Sequence, residues 1–520
     1  MKNFWKEWRW VILAGAAIFV LALGLRLFNL TLLPIFADEA IYIRWAQVMR
    51  AESTLRFLPL SDGKQPLFMW LVIPFLKLFS NPLFAGRFTS ITAGLGTMLG
   101  IFLISYFLFR SKKVSLAASF IYAISPFSLF FDRMALVDSL LSLFGVWTLY
   151  FGLLTAKTER LDFAMLTGFS LGGALLTKSP GIFFTILLPT TWLLSKWPQE
   201  INEKLVHLIK LLFLLAVTYF IGYAMYNILR LGPNFHLVGT RNQDYIFPLS
   251  HLLTNPRDPF VFYIDRSFEW IRMMGPNFVL ALAFLGIILN IRKNYRQILL
   301  LSAWFLFPIL VQSEFAKVIT ARYILFSLPY LFILSASAFT QNKKLIKKLV
   351  VGFMIVFVLQ ALFFDYYLLT NPQKANLPRS ERSGYLEEWT AGTGIKEVAD
   401  LIRKEAAVNK EKIVVGTEGY FGTLPDGLQM YLNDLLTEKV TVMGVGIDLS
   451  EIPQSLIDSK KAGNKTYLAI NSCRLHIKNP EERGLKIIAA YPKAVRPDGN
   501  KEYVKCGPRD TFNLLELVSF

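Results

Sequence analysis

Long apolar stretches recur along the first 370 residues of the chain. A helix needs about 20 mostly apolar residues to cross a bilayer. Eleven stretches approach that length, at residues 10–30, 83–109, 114–131, 139–156, 163–177, 180–195, 209–230, 276–291, 297–312, 322–340 and 349–369. Only Lys178 and Ser179 separate the fifth stretch from the sixth, and both stretches are short, so we expect a hairpin or tilted helices there. The pattern predicts a multi-span α-helical membrane protein with about 11 transmembrane helices.

One further apolar segment, at residues 66–79, is too short to cross. It has 14 residues, and two prolines and a lysine interrupt it. Upstream of it, Ile41, Trp45 and Val48 recur at the spacing of one helical face, while charged residues point elsewhere. The segment 66–79 therefore predicts an interfacial or re-entrant helix within the first external loop, and the upstream segment a helix that lies in the membrane interface.

After residue 370 the pattern becomes that of a soluble α/β domain. Residues 394–408 have the spacing of an amphipathic helix, and residues 412–416 (KIVVG) are typical of a buried strand. We expect a second helix and three further strands, at 427–436, 440–444, 466–470 and 486–490. The chain is therefore predicted to contain a membrane domain at 1–369 and a C-terminal α/β domain at 370–520.

The composition agrees with a membrane protein. Of the 520 residues, 54% are hydrophobic and only 18% are charged, whereas a soluble protein has about 25% charged residues. The net charge of +18 does not indicate nucleic-acid binding, because the basic residues cluster at the ends of apolar stretches. That distribution is typical of the cytoplasmic loops of membrane proteins.

The same distribution predicts the orientation of the chain. If the amino terminus is cytoplasmic, the connections on that side hold 18 Lys and Arg in 52 residues, against 11 in 99 on the other side. An odd number of crossings then places the C-terminal domain outside the cytoplasm, with the external loops 31–66, 131–138 and 231–275. Cys473 and Cys506, the only cysteines, could form a disulfide there, but they do not decide the compartment.

Two of these loops carry acidic residues next to the ends of predicted spans. Asp38 and Glu39 lie in FADEAIYIRWAQ, and Asp132, Arg133 and Asp138 lie in FFDRMALVDSLL. Acids at the membrane boundary are costly to desolvate and are usually kept for a function. For an isolated acid, a solvated charge or an ion pair with a nearby arginine is the more frequent explanation.

The sequence around these acids resembles the GT-C superfamily of membrane glycosyltransferases. More narrowly, it is similar to the branch that holds protein O-mannosyltransferases and the aminoarabinose transferase of lipid A. Six segments carry the resemblance in the order of the family: DEAIYIRWAQ, GKQPLFMWLVIPFLKLFS, FAGRFTSITAGLGT, SPFSLFFDRMALVDSLLSLF, LGGALLTKSPGIFF and KVITARYILFSLPYLFIL. The predicted C-terminal domain at 370–520, called the tail below, matches the extracytoplasmic domains of such enzymes only loosely.

The resemblance implies transfer of a sugar from a polyprenyl-phosphate donor, with inversion at the anomeric carbon. Inversion needs a base for the proton of the acceptor and cations for the leaving phosphate. By the resemblance, Asp38 is the base, Glu39 supports it or orients the acceptor, and Asp138 binds the sugar or the acceptor. Glu39 beside Asp38 is not a D-x-D motif, so a divalent cation is possible but not indicated, and no metal ligands are expected.

The resemblance also implies a set of basic residues for the donor phosphate. Lys64 is the main candidate, although the family has an acid before a Lys-Pro-Pro and this chain has Gly63-Lys64-Gln65-Pro66. Arg322 suits the phosphate through its planar donor fork, unless it is an interfacial anchor. Tyr323, Arg87 and Lys178 are further candidates for the phosphate, although Arg87 and Lys178 could equally brace the external loops. The other candidates are Arg133, Arg241 and Arg266. Between Arg241 and Arg266, both in the loop 231–275, the sequence does not choose.

Two other classes of protein share some of these features. A transporter or lipid flippase also has many spans and charged residues within them, but no internal repeat is visible here and the acids lie at one face. A scaffold of the cell envelope would not need the acids and Lys64 together. The sequence leaves open whether the acceptor is a protein, a lipid or a glycan, and which sugar is transferred.

Overall fold

The computed structural model describes residues 2–341, 343–436, 438–499 and 501–519. They form two compact units, each assembled from separate stretches of the chain. The membrane unit consists of Met1–Phe28, Leu55–Trp70 and Arg87–Pro378, and the sheet unit of Asn29–Thr54, Leu71–Gly86 and Arg379–Phe520. The predicted division into continuous domains at 1–369 and 370–520 stays a prediction.

Most of the described residues are helical. The helices are α1 (Lys2–Leu27), α2 (Ala37–Ala51), α3 (Leu67–Leu78), α4 (Pro82–Phe109), α5 (Lys112–Ile124), α6 (Pro126–Asp132), α7 (Val137–Thr158), α8 (Leu161–Thr177), α9 (Ile182–Leu187), α10 (Ile201–Asn227), α11 (His236–Tyr245), α12 (His251–Thr254), α13 (Phe260–Met274), α14 (Asn277–Asn290), α15 (Tyr295–Phe315), α16 (Leu328–Ala336), α17 (Lys344–Thr370), α18 (Arg379–Arg382), α19 (Ile395–Val408), α20 (Asp426–Tyr431), α21 (Gln454–Lys461) and α22 (Lys501–Cys506).

Seven helical segments of the described chain are long and apolar enough to cross a membrane, so the protein is multi-pass as predicted. They are Trp5–Leu27, Pro82–Phe109, Val137–Thr158, Ile201–Leu231, Tyr295–Phe315, Ala321–Thr340 and Lys344–Thr370. Two bent pairs, α5 with α6 (59°) and α13 with α14 (106°), raise the number to nine if each pair is one span. A proline begins or precedes the second helix of each pair, and proline has no N–H for the helical ladder.

The predicted count of 11 depends on two short helical stretches. Leu161–Thr177 and Ser179–Leu194 match the fifth and sixth predicted spans, but each is shorter than a full crossing. The predicted interfacial segment at 66–79 is the 12-residue helix α3, which is about 18 Å long at 1.5 Å per residue. The count of 11 and the interfacial or re-entrant position of α3 therefore stay predictions.

A buried ion pair joins several helices of the membrane unit. Arg26 of α1 and Asp132 at the end of α6 are both fully buried, with Nη2 2.9 Å from Oδ2. The Tyr122 hydroxyl donates to the same oxygen (2.9 Å), and the Ser139 hydroxyl donates to Oδ1 (2.8 Å). Both carboxylate oxygens of Asp132 are thus satisfied, which a buried charge requires. Asp132, one of the acids noted near the ends of predicted spans, therefore has the contacts of a structural brace.

The sheet unit contains a five-stranded mixed sheet. The strands of the unit are β1 (Ile35–Phe36), β2 (Ala391–Gly392), β3 (Ile413–Glu418), β4 (Val440–Gly446), β5 (Lys465–Asn471), β6 (Leu485–Pro492) and β7 (Thr511–Leu517). The order is β4-β3-β5-β7-β6, with β3 parallel to β4 and β5, and β7 antiparallel to its neighbours. All residues of β3 are buried, as its apolar IVV run predicts. The predicted C-terminal sheet is therefore present, and it contains one strand, β7, in addition to the predicted ones.

Two features tie distant parts of the sheet unit together. β1, just before α2, pairs antiparallel with β2, so the stretch around residue 35 belongs to the same unit as the tail. Cys473 and Cys506 form a disulfide between the end of β5 and α22. The chain in this unit is therefore held by backbone pairing at one place and by a covalent bond at another.

Gly94→Ala tests the packing of α4 on the buried pair. A Cβ at Gly94 would overlap the Asp132 carboxylate, so we expect overpacking to lower the free energy of unfolding by about 1–3 kcal/mol. The thermal midpoint of the purified protein in detergent measures this. Gly24→Ala is the matched control, because nothing lies within 4 Å of a Cβ there. Equal midpoints for the two variants would contradict the packing of α4 described here.

Candidate functional site

A lysine, a carboxylate and an aromatic ring meet in the membrane unit. Asp138 lies in the first turn of α7, Lys178 follows the last residue of α8, and Tyr323 lies in the 3₁₀ turn Ala321–Ser327. Lys178 Nζ is 2.7 Å from Asp138 Oδ1 and 3.9 Å from the centroid of the Tyr323 ring. The ammonium group thus contacts both a carboxylate and the π face of an aromatic ring.

The arginine predicted beside Tyr323 extends this arrangement. The Arg322 guanidinium carbon is 5.4 Å from the centroid of the same ring, so one ring is close to two cations. Asp138 Oδ2 is buried, and no hydrogen-bond partner for it is found among the described residues. Four of the residues predicted from the sequence, Asp138, Lys178, Arg322 and Tyr323, are therefore brought together.

A second group of charges surrounds the turn at Lys64. Asp62 Oδ1 is 2.6 Å from Nη1 of Arg241 in α11, and Asp62 Oδ2 is 3.3 Å from Nζ of Lys64. Asp62 was not among the predicted residues. The family pattern, with an acid directly before the lysine, could have pointed to it. In this chain the acid lies two positions before Lys64, with Gly63 between them. The structure also separates the two arginines of the loop 231–275, since only Arg241 reaches this turn.

Gly63 makes the approach of α11 possible. Its φ of +63° lies in the left-handed region, where glycine is unstrained. A Cβ at this position would lie 2.6 Å from the Cβ of Arg241 and 2.6 Å from the carbonyl oxygen of Leu237. The turn therefore needs glycine for its conformation and for its contact with α11.

A hydrogen bond links the two groups of charges. Gln65 Nε2 donates to Oγ of Ser179 (2.9 Å), and these residues follow Lys64 and Lys178 in the chain. We call the whole set the basic cluster: Lys64, Lys178, Arg241, Arg322, Asp62, Asp138 and Tyr323. It holds four cationic side chains and two carboxylates, so positive charge is in excess among its members. Such a set suits an anion with several oxygens, such as a phosphate.

The other predicted basic residues occupy different places. Arg266 pairs with Glu269 one turn along α13. Arg133 Nη1 donates to the carbonyl oxygens of Leu25, Arg26 and Phe28, which caps the end of α1. Arg87 is fully buried near the start of α4. The contacts of Arg133 are those of a brace, and its predicted role in binding stays a prediction.

The two acids of the first predicted loop lie in the sheet unit, in the first turn of α2. Glu39 is fully buried, and the Phe36 N–H donates to its Oε2 (3.0 Å), which satisfies a backbone donor at the start of the helix. Asp38 is partly buried. Negative charge at this end of a helix is favoured by the helix dipole. Their catalytic roles stay predictions, and the contact of Glu39 fits a supporting one.

Among the described residues, no three His, Cys, Asp or Glu side chains form a group that could hold a metal ion. The cations of the basic cluster are side-chain ammonium and guanidinium groups. These donate hydrogen bonds as well as charge, so they can orient phosphate oxygens.

Comparison with known proteins supports the resemblance seen in the sequence. Residues 63–223 match the family model of dolichyl-phosphate-mannose-protein mannosyltransferase. This stretch contains Lys64, Asp138 and Lys178. No curated protein sequence matches the chain significantly.

Solved structures with the same fold cover nearly the whole chain. ArnT from Cupriavidus metallidurans in the apo state matches with a TM-score of 0.60 and 14% identity over 98% of both chains. The same protein bound to undecaprenyl phosphate matches with a TM-score of 0.57 and 15% identity, over 97% of this chain and 98% of that one. AglB from Archaeoglobus fulgidus, in complex with an inhibitory peptide and a dolichol-phosphate, matches with 0.51 and 12%, over 90% and 70%. The resemblance to the GT-C superfamily is confirmed, and the likeness to these structures shows the fold.

Lys178→Met tests the pairing inside the basic cluster. The substitution keeps the length of the side chain but leaves the Asp138 carboxylate buried without its cation. Removing one partner of a buried pair is costly, and because this lysine is partly exposed we expect a loss of about 2 kcal/mol. The double variant Lys178→Met/Asp138→Asn should recover most of the thermal midpoint in detergent. A double variant no more stable than Lys178→Met would argue against the pair.

Proposed function

We propose that this chain is a membrane glycosyltransferase that transfers a sugar from a polyprenyl-phosphate donor to an acceptor outside the cytoplasm. The observation that carries the proposal is the basic cluster. Its cations come from the turn after Asp62, the end of α8, α11 and the turn before α16. Four separate elements thus supply positive charge to one set of residues.

The comparisons support a lipid-linked phosphate as the ligand. The matching family model is described by a dolichyl-phosphate sugar donor. Of the similar structures, ArnT is seen with undecaprenyl phosphate and AglB with a dolichol-phosphate. For the present chain, the excess of cations in the basic cluster is the feature that fits such a headgroup.

In the proposed reaction the basic cluster stabilises the departing phosphate. The acceptor oxygen forms a bond to the anomeric carbon while the bond from that carbon to the phosphate oxygen breaks. The electron pair of the broken bond goes to the phosphate, which gains negative charge. Cations held in place before the reaction stabilise the transition state, in which this charge develops, more than they stabilise the ground state. They therefore lower the barrier.

The proton of the acceptor goes to a carboxylate, and Asp38 is the proposed base. Glu39 is engaged with the backbone N–H of Phe36, which leaves it the role of fixing the first turn of α2. Among the described residues, Asp138 is engaged by Lys178 through one oxygen, and its other oxygen has no hydrogen-bond partner. Its second oxygen is proposed to accept a hydrogen bond from a hydroxyl of the sugar or the acceptor.

The proposed location outside the cytoplasm has two supports. Lys and Arg are about three times denser in the connections assigned to the cytoplasm than in the opposite ones. The disulfide between Cys473 and Cys506 belongs to the sheet unit, and disulfides persist in oxidising compartments. The sugar and the acceptor are left open by both observations.

Asp38→Asn tests the proposed base. We expect the amide to abolish transfer, because it cannot take the proton, while the protein still folds. Purified protein in detergent is incubated with a panel of radiolabelled polyprenyl-phosphate sugars and acceptor-containing membranes, and the transferred label is counted. Glu52→Gln is the control, since Glu52 is an exposed acid at the other end of α2. Donor that is not consumed by the wild type would favour a transporter or flippase.

Arg241→Ala and Arg266→Ala test the choice between the two arginines. Loss of Arg241 removes one charge-assisted donor and frees Asp62 to compete for Lys64. A hydrogen bond to a charged group contributes about 1.5–3 kcal/mol, so we expect binding of undecaprenyl phosphate to weaken about tenfold or more. Arg266→Ala should stay within about twofold of the wild type. Titration with the lipid in detergent measures both, and equal losses would remove Arg241 from the site.

A further inference from the structure

The start of α2 is held by backbone pairing with the tail. Ile35 and Phe36, which form β1, pair with Gly392 and Ala391 of β2. The Ala37 N–H donates to the carbonyl oxygen of Thr390 (3.1 Å). The segment immediately before Asp38 is therefore the edge of a small sheet whose other strand comes from the tail.

The middle of α2 is held by side chains. Arg44 Nη1 donates to Oδ1 of Asn433 (2.6 Å), and its Nε donates to Oε1 of Gln429 (3.3 Å). Gln47, one turn further on, donates through Nε2 to the carbonyl oxygen of Met430 (2.9 Å). Residues three apart lie on the same helical face, so one face of α2 is bonded to α20 and the turn after it.

The partner of Arg44 is itself anchored to the sheet. Gln429 Nε2 donates to the carbonyl oxygen of Val442 in β4 (3.0 Å). A chain of two hydrogen bonds thus runs from α2 through α20 to the sheet. Burial lowers the pKa of the Arg44 guanidinium, and the carboxylate of Asp426 in α20 raises it again. The arginine is therefore both desolvated and faced by an acid of the helix that holds it.

Apolar contacts also hold α2. Trp45 is buried, and its ring centroid is 5.6 Å from that of Phe421, in the loop between β3 and α20. A Cβ at Gly427 would be 3.8 Å from the Cβ of Ala40, so the two helices approach closely. An isolated helix of 15 residues is marginal in water, and α2 has this length. Its position therefore depends on these outside contacts.

We propose that the C-terminal sheet serves to position α2, with Arg44 and Gln47 as positioning residues that act through Gln429, Asn433 and Met430. The inference rests on the proposed function, because it gives Asp38 the role of base. A displacement of about 1 Å can cost a reaction about a hundredfold, and Asp38 is on the first turn of the helix that these contacts fix. The tail then contributes to the rate without touching the substrate.

The kinetic test uses variants on the tail side of the contact, in the full-length protein. Gln429→Ala and Asn433→Ala remove the two acceptors of Arg44. We expect kcat to fall about tenfold in each, with KM for the donor within about twofold, because donor binding belongs to the basic cluster. The donor is the polyprenyl-phosphate sugar that gives transfer in the Asp38 experiment. Asn433→Asp should keep the wild-type rate, since its carboxylate still accepts from Arg44.

Two controls separate positioning from a general loss of structure. Arg50→Ala removes an arginine from the same helix whose bond goes to the carbonyl oxygen of Leu76 instead of the tail, and it should leave kcat unchanged. Arg44→Ala combined with Asn433→Ala should be no slower than Arg44→Ala alone, as expected for two residues that act through one contact. All variants should keep the thermal midpoint of the wild type within a few degrees.

Amide hydrogen exchange of residues 37–51 provides a readout that needs no substrate. Exchange in α2 should be faster in Gln429→Ala and Asn433→Ala than in Arg50→Ala. If the wild type transfers sugar and the tail variants keep its kcat, or lose it only together with their thermal midpoint, the positioning role is overturned and the proposed function stands. A rise in the KM for the acceptor alone would also overturn it. A wild type without transfer overturns the proposed function itself.

Discussion

The pair formed by Arg26 and Asp132 lies where water is excluded, and its geometry shows what a charge needs in that setting. Every oxygen of the aspartate is bonded and both side chains are fully buried. The pair of Lys178 and Asp138 is built differently, since Lys178 is partly exposed and one buried oxygen of Asp138 lacks a hydrogen-bond partner among the described residues. A carboxylate with both oxygens bonded fits a brace, whereas a carboxylate with one unbonded oxygen can still accept a hydrogen bond from a ligand.

Much of the membrane unit could be predicted because the requirements on a spanning helix are local in the sequence. A helix in hydrocarbon must satisfy its own backbone and show apolar side chains, so length and hydropathy locate it. The same criteria cannot decide whether Leu161–Thr177 crosses. They also cannot choose between Arg241 and Arg266, because that choice depends on how closely α11 approaches the turn at Gly63. Asp62 was not predicted because the family pattern has its acid directly before the lysine. In this chain Gly63, in the left-handed conformation, stands between Asp62 and Lys64.

The sheet unit was predictable where strands are buried on both sides and less so elsewhere. β3 is an apolar run, and its predicted position is close to the observed one. β7, with Asn513 and Glu516 among its apolar residues, has a weaker pattern. The pairing of β1 with β2 joins two-residue strands about 355 positions apart, and no local periodicity marks such a pairing. The contacts between α2 and the C-terminal residues could therefore be found only in the three-dimensional structure.

The composite make-up of the sheet unit constrains how the gene for such a protein can be cut or recombined. A chain that ended after Pro378 would lack the residues that pack on α2, and Trp45 and its neighbours would be exposed. For the same reason, a chimaera that grafts a foreign tail would have to carry the stretch Asn29–Thr54 with it. The contacting residues of α2 and α20 are expected to covary among related proteins.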